Sequence, residues 1–257
     1  MGKILALILS VSLEPRNKVL ISQLIAAGIE YEVVTGASRA AAREHYQINF
    51  DSRAKYSIMD DNQLACTYGH YLMFLRAREV KSTYTLFLED DCTLDSSKLV
   101  ELLQNIEEAP KGILILGACG GFAKKGSSIQ GGKTWLRAVG DTVAGSHAYI
   151  IHESLINDFI NGSQKLQRLP DSFHRDKKIK MFILQPYIAW QIRDTFSHIP
   201  LMQSGQSANP LRRLASSFKH DLLDRIWFGI WGGRFLRLSF LEKIVEIFYI
   251  RLPGCKD

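Results

Sequence analysis

The run Ile4-Leu5-Ala6-Leu7-Ile8-Leu9 sets apolar side chains in unbroken succession near the start of the chain. Strand side chains alternate between two faces, so a short run with no polar member belongs to a strand covered on both sides. Such a strand calls for helices above and below a sheet, the parallel arrangement of α/β proteins. The next residues agree with this. Residues 15–27 carry Val19, Leu20, Ile21, Leu24 and Ile25 in a helical pattern, Gly28 is placed as a helix stop, and Tyr31–Val34 reads as a second strand. The unit is strand, helix, parallel strand.

The same pattern continues with interruptions. Residues 37–61 are polar, with Arg39, Arg43, Arg53 and Lys55, and suit a loop or short helices over the sheet's carboxyl edge. Asp60-Asp61-Asn62-Gln63 is placed to cap a helix from Leu64 to Val80. Strands are expected at Tyr84–Leu88, Ile113–Leu116 and Ala148–Ile151, with a further apolar run at Met181–Leu184 before Gln185-Pro186. Helices are expected at Leu94–Ile106, opened by Asp95-Ser96-Ser97, and near Glu153–Ile160. The glycine-rich segment at 117–133 has neither GxGxxG nor GxxxxGK[ST] spacing, so it reads as a loop or hairpin rather than a phosphate cradle.

Composition removes several function classes. The charge of +6 favours acidic partners, among them nucleic acid, anionic lipid and phosphorylated substrates. No RRM, KH or zinc-finger pattern accompanies it, and no nucleic-acid partner is expected. No stretch of about 18 apolar residues suggests a membrane-spanning helix. Glu14 and Arg16 arrive early and no A-x-A-like site follows, which argues against a signal peptide. Cys66, Cys92, Cys119 and Cys255 are scattered, with no CxxC pair and no His/Cys cluster at zinc spacing, so a reducing compartment is expected. Residues 201–257 differ in character: Trp227, Phe228, Trp231, Phe235 and Phe240 interleave with Arg225, Arg234, Arg237 and Lys243. Two amphipathic helices broken at Gly232-Gly233 are expected there. They either pack on the domain spanning 1–200 or contact an anionic membrane through 211–251.

The chemistry-bearing stretch is Thr85-Leu86-Phe87-Leu88-Glu89-Asp90-Asp91, where an apolar strand ends in three acids. Ligands of open parallel sheets bind beyond the strands' carboxyl ends. Strand alternation would turn Glu89 and Asp91 to one side and Asp90 to the other. Paired carboxylates need a proton or a cation, and Mn²⁺ or Mg²⁺ with phosphate oxygens suits them. A solvated acidic turn capping the next helix is the alternative on local chemistry alone.

The residues around these acids resemble glycosyltransferase family 25. Ala65-Cys66-Thr67-Tyr68-Gly69-His70 is similar to the family's helix ahead of its acidic strand, and Glu89-Asp90-Asp91 to its metal motif. Arg16, Val34-Thr35-Gly36, Gly145-Ser146-His147-Ala148-Tyr149-Ile150-Ile151, Pro170-Asp171 and Gln185-Pro186 follow in the family's order over residues 3–200. Asn62-Gln63-Leu64 and Gly69 depart from its usual residues. The resemblance implies a GT-A-like, Rossmann-like fold: a mixed, mostly parallel sheet flanked by helices, with a helical C-terminal extension.

It also implies metal-dependent, inverting transfer of a sugar, galactose first, from a UDP-sugar to a lipid-linked saccharide of lipopolysaccharide or lipooligosaccharide. Such an enzyme would work in the bacterial cytoplasm or peripherally on the inner membrane's inner face. Asp91 is then the first metal ligand and Glu89 the second, while Arg16, Asp90 and His147 contact the donor nucleotide. Asp171 is the candidate base. His70 reads as a structural histidine or a substrate contact, and Cys66 as a small core residue. A binding protein that kept the fold and a nucleotidyltransferase are the rival readings. The absence of glycine in Ser10–Arg16 counts against the second rival.

Overall fold

The protein is described here by a computed structural model covering residues 4–10, 17–46, 61–118, 121–124, 129–130, 133–138, 145–164, 179–192 and 249–252. Arg16, Asp171 and the boundary read near residue 200 lie outside these residues.

The apolar opening run forms β1 (Ile4–Ser10), and every residue from Leu5 to Ser10 is buried. It is flanked in parallel by β2 (Glu30–Thr35) and by β3 (Tyr84–Glu89). Between β1 and β2 lies α1 (Asn17–Ala26), which ends where Gly28 adopts φ +68° and lets the Ile29 N–H reach back to the Leu24 carbonyl at 3.0 Å. Then come α2 (Arg39–Tyr46) and the long α3 (Asp61–Val80), followed after β3 by β4 (Cys92–Leu94) and α4 (Ser96–Gln104). Asp95 caps α4 by accepting from the Lys98 N–H at 3.1 Å. Leu94, expected in that helix, closes β4 instead.

The principal sheet is completed by β5 (Ile113–Ile115), β7 (Ile129–Gln130), β8 (Lys133–Arg137), β9 (Ala148–His152) and β10 (Met181–Gln185). Its eight strands run in the order β2-β1-β3-β9-β5-β10-β8-β7. β9 and β8 run against the others, giving the mixed, mostly parallel sheet expected. The antiparallel course of β9 matters most for the site. Its first residue lies beside the last residues of β3, with Ala148 opposite Leu88, so the residues just before β9 stand at β3's carboxyl end.

Alternation along the buried strands supplies two cores. Leu5, Leu7, Leu9 and Phe87 face Met73, Phe74 and Ala77 of α3 and Ile156, Phe159 and Ile160 of α5 (Glu153–Gln164). Ala6, Ile8, Leu86 and Leu88 face Leu20 and Leu24 of α1 and Leu99, Leu102 and Leu103 of α4. Each fully buried large side chain contributes about 1.5–3 kcal/mol relative to exposure. The result is three layers, helix, sheet and helix.

Two small ribbons adjoin this sheet. β11 (Ala189–Gln191) pairs with β4, and β12 (Tyr249–Leu252) pairs with β6 (Gly121–Lys124) in the glycine-rich segment. Residues 249–252, read from sequence as part of a helical region, are therefore strand, because they complete the hydrogen-bonding edge of β6. The helices expected over the preceding residues lie outside the described residues. Among the described residues, no helix is long and apolar enough to cross a membrane.

Gly117 shows how tightly the β11 segment is seated. The Ile188 N–H bonds the Leu116 carbonyl at 3.1 Å, and a Cβ on Gly117 would overlap the Ala189 carbonyl and come within 2.9 Å of His147 Nε2. Gly117→Ala is expected to cost about 1–3 kcal/mol by this overpacking. The measurement is urea unfolding, with Gly162→Ala, where a Cβ meets nothing within 4 Å, as the reference.

Candidate active site

The acids at the end of β3 do not continue its pleat. The strand stops at Glu89, and Asp90 and Asp91 form the turn into β4. The alternation expected from sequence therefore ends there, and each carboxylate finds its own partners. Turn formation is fixed by hydrogen bonds on both sides: the Glu89 N–H donates to the His147 carbonyl at 2.9 Å, and the Asp90 N–H to the Leu9 carbonyl at 3.0 Å.

Glu89 lies on the α3 face. Its Oε1 accepts from Ser146 Oγ at 2.7 Å and stands 3.1 Å from His70 Nε2. Burial alone would raise its pKa. The His70 and Ser146 hydrogen bonds, with the two neighbouring imidazoles of His70 and His147, outweigh burial and hold the carboxyl below its ordinary value of 4.5. His70 is fully buried, and its Nδ1 is 2.7 Å from the Tyr149 hydroxyl. Burial, and then the charge of Glu89, pushes that phenol well above 10. A neutral Tyr149, His70 and an ionised Glu89 thus form a continuous hydrogen-bonded chain that runs from the core to the partly exposed strand end.

Asp90 is buried and accepts from Ser10 Oγ at 2.8 Å, which joins the ends of β1 and β3. Asp91 sits at the mouth of the β4–β11 ribbon. Its Oδ2 accepts from Gln191 Nε2 at 2.8 Å, and its carbonyl accepts from the Ile192 N–H at 2.6 Å. Glu89 and Asp91 are close enough that both charges, after burial, push the Cys92 thiol up. They nevertheless belong to different hydrogen-bond sets, Glu89 to α3 and β9, Asp91 to β11.

His147 is buried in front of β9. Burial lowers its pKa, against the opposing effects of Glu89 and of a hydrogen bond to the Ala189 carbonyl, so the ring is neutral near pH 7. Of the residues singled out from sequence, the structure gathers Glu89, Asp90, Asp91 and His147 at one sheet edge. Arg16 and Asp171 are outside the described residues.

Sequence reasoning missed two contributions. Gln191, which holds Asp91, comes from a strand a hundred residues away and carries no motif. The second miss is a thiol–imidazole–carboxylate group: ligand atoms of Cys66, His70 and Glu89 lie within 4.8 Å of one another. No such cluster was expected from cysteine spacing. Cys66 and His70 are one helical turn apart, and the third member arrives only through the packing of α3 on β3. The i, i+4 spacing was the available signal.

The His70 hydrogen bonds yield a stability prediction. His70→Ala leaves the Tyr149 hydroxyl and the Glu89 carboxylate short of a partner in a buried place. A loss of about 2–4 kcal/mol is expected in urea unfolding, since each stranded polar group costs about 1–3 kcal/mol. An unchanged midpoint would mean that these bonds carry no weight.

Comparison with solved structures finds distant similarity of chain course. A protein from STIV aligns at 12% identity over 75% of this chain and 86% of its own, with a TM-score of 0.43. A CMP:2-keto-3-deoxy-manno-octonic acid synthetase complexed with CTP aligns at 12% identity, over 71% and 89%, with a TM-score of 0.42. A glycosyltransferase involved in glycosylation of the major capsid of PBCV-1 aligns at 8% identity, over 68% and 73%, with a TM-score of 0.38. Curated protein sequences give no match. The sequence family is clear. Residues 6–177, which hold α3, β3, β9 and the acids built up above, match glycosyltransferase family 25 (LPS biosynthesis protein), and the chain belongs to that family.

Proposed function

We propose that this glycosyltransferase moves a hexosyl group, galactose first, from a UDP-sugar to a hydroxyl of a lipopolysaccharide or lipooligosaccharide acceptor, with metal assistance and inversion at the anomeric carbon. The observation that carries the reading is the Asp90-Asp91 turn at the carboxyl end of β3, inside the region matched to the family. That edge is where an open α/β sheet holds its ligand.

The donor atoms fit a hard divalent ion. Asp91 offers carboxylate oxygen, and the neutral Gln191 amide orients it without cancelling its charge. When bound, Mn²⁺ or Mg²⁺ would supply Lewis-acid stabilisation of the departing diphosphate. Asp91 is the first proposed ligand. Glu89, its expected companion, has one oxygen engaged by His70 and Ser146, and so its contribution to the donor metal is secondary. Asp90 is proposed to face the donor's ribose or sugar, and its bond to Ser10 ties that position to β1. Arg16 is the proposed contact to the diphosphate. His147, held neutral by burial, is a further proposed contact to the donor nucleotide.

Inversion needs an acceptor hydroxyl in line with the leaving group and a base to take its proton. Asp171 is the proposed base. A lipid-linked acceptor, and contact with the inner face of the bacterial inner membrane through 211–251, belong to the same reading. The basic and aromatic composition of that stretch supports both.

With Mn²⁺ and a panel of UDP-sugars, release of UDP should be fastest with UDP-galactose, stop on chelation and return with added Mn²⁺. Asp91→Asn should lower kcat by about a hundredfold or more while leaving the unfolding midpoint near wild type. Full activity in Asp91→Asn, or no turnover of any UDP-sugar, would refute the assignment.

A further inference from the structure

We propose that Cys66, His70 and Glu89 form a second metal site, for a zinc-type ion, on the α3 side of β3; it shares Glu89 with the donor reading and does not include Asp91. This site does not depend on the donor or on the transfer reaction. α3 presents Cys66 and His70 one turn apart on the same face, and β3 delivers Glu89 against them. The three ligand atoms lie within 4.8 Å of one another, and His70 Nε2 and Glu89 Oε1 stand 3.1 Å apart. Two ligands of one tetrahedral zinc stand about 3.4–3.8 Å apart, so an ion needs only a small rearrangement of these atoms.

The surroundings match what a metal-bound imidazole requires. His70 Nδ1 is occupied by the Tyr149 hydroxyl at 2.7 Å, which leaves Nε2 as the ligating nitrogen and fixes the ring's orientation. Ser146 Oγ fixes the carboxylate in the same way. Sulfur, nitrogen and oxygen together select zinc over Mn²⁺ or Mg²⁺, which prefer oxygen alone. His70 is fully buried, while Cys66 and Glu89 are partly exposed, which gives the ion a way in and leaves a fourth position for water. On binding, the Cys66 thiol gives up its proton, and metal bonds replace the contact between His70 and Glu89. The bound ion would pin α3 to the end of β3, next to the turn that carries Asp91.

The test uses the full-length protein stripped of metal and titrated with Co²⁺. One equivalent should produce a thiolate-to-cobalt charge-transfer band, and Zn²⁺ should abolish it. Cys66→Ser should lose the band while keeping the wild-type circular dichroism, and His70→Gln should weaken it. Asp91→Asn should lose transfer and keep the band, so failure of the donor reading and failure of this one are told apart. Zn²⁺ at ten times its Kd should slow alkylation of Cys66, followed by peptide mass, by about tenfold. No band at one equivalent, an equal band in Cys66→Ser, or unprotected alkylation would overturn the proposal and leave a metal-free hydrogen-bonded triad.

Discussion

A carboxylate at the end of a buried strand must be compensated, and the compensation of Glu89 ties the candidate site together. Its partners come from two separate places: His70 from the middle of α3 and, from the approach to β9, both Ser146 and the His147 carbonyl, which accepts the Glu89 backbone N–H. Burial opposes the charge, and the hydrogen bonds and neighbouring imidazoles outweigh it, so partners from α3 and from the approach to β9 together hold Glu89 below its ordinary pKa. Phe87 stacks on Tyr149 with ring centroids 5.0 Å apart, which extends the same register into the core. The site's geometry and the packing of α3 are therefore one constraint.

The inserted antiparallel strand makes this possible. Were β9 parallel to β3, its start would lie at the opposite edge of the sheet, far from the acids. Running against β3, it brings Ser146 and His147 to the carboxyl edge and sends Tyr149 back beneath His70. The β4–β11 ribbon does the corresponding work for Asp91, because Gln191 reaches it from a hundred positions along the chain. Gly117 permits this approach, since any side chain there would meet the Ala189 carbonyl. Neighbouring acids in sequence thus acquire different environments: Glu89 a polar network with His70 and Ser146, Asp90 a strand-to-strand tie, and Asp91 an amide-held position at the ribbon's mouth.

Much of the architecture was legible in the residues, for physical reasons that can be named. β1 declared itself by an apolar run with no polar interruption, α1 by its periodicity and the stop at Gly28, and α4 by the cap at Asp95. These are local effects, decided within a few residues of chain. Other features were not local. The pleat rule assigned Glu89 and Asp91 to one side, yet it lapsed where the strand turned after Glu89. Residues 249–252 carried helical character in their neighbourhood, but the free edge of β6 made them strand. The Cys66–His70 pair gave no sign of a third member because Glu89 arrives from another element.

By itself, the sequence determined the types of the main elements, the two-sided burial of the central strands, the placing of acids at a strand's carboxyl end and, through ordered motifs, membership of family 25. The structural properties follow from periodicity, capping and composition, which act over short stretches of chain, whereas family membership rests on the ordered motifs. Only the tertiary structure decided the direction of β9, the separate partners of the three acids, the hold of Gln191 on Asp91 and the meeting of Cys66, His70 and Glu89. Those depend on which strand edges pair and which helix face packs on them. Contacts between residues nineteen to a hundred positions apart leave no trace in local pattern.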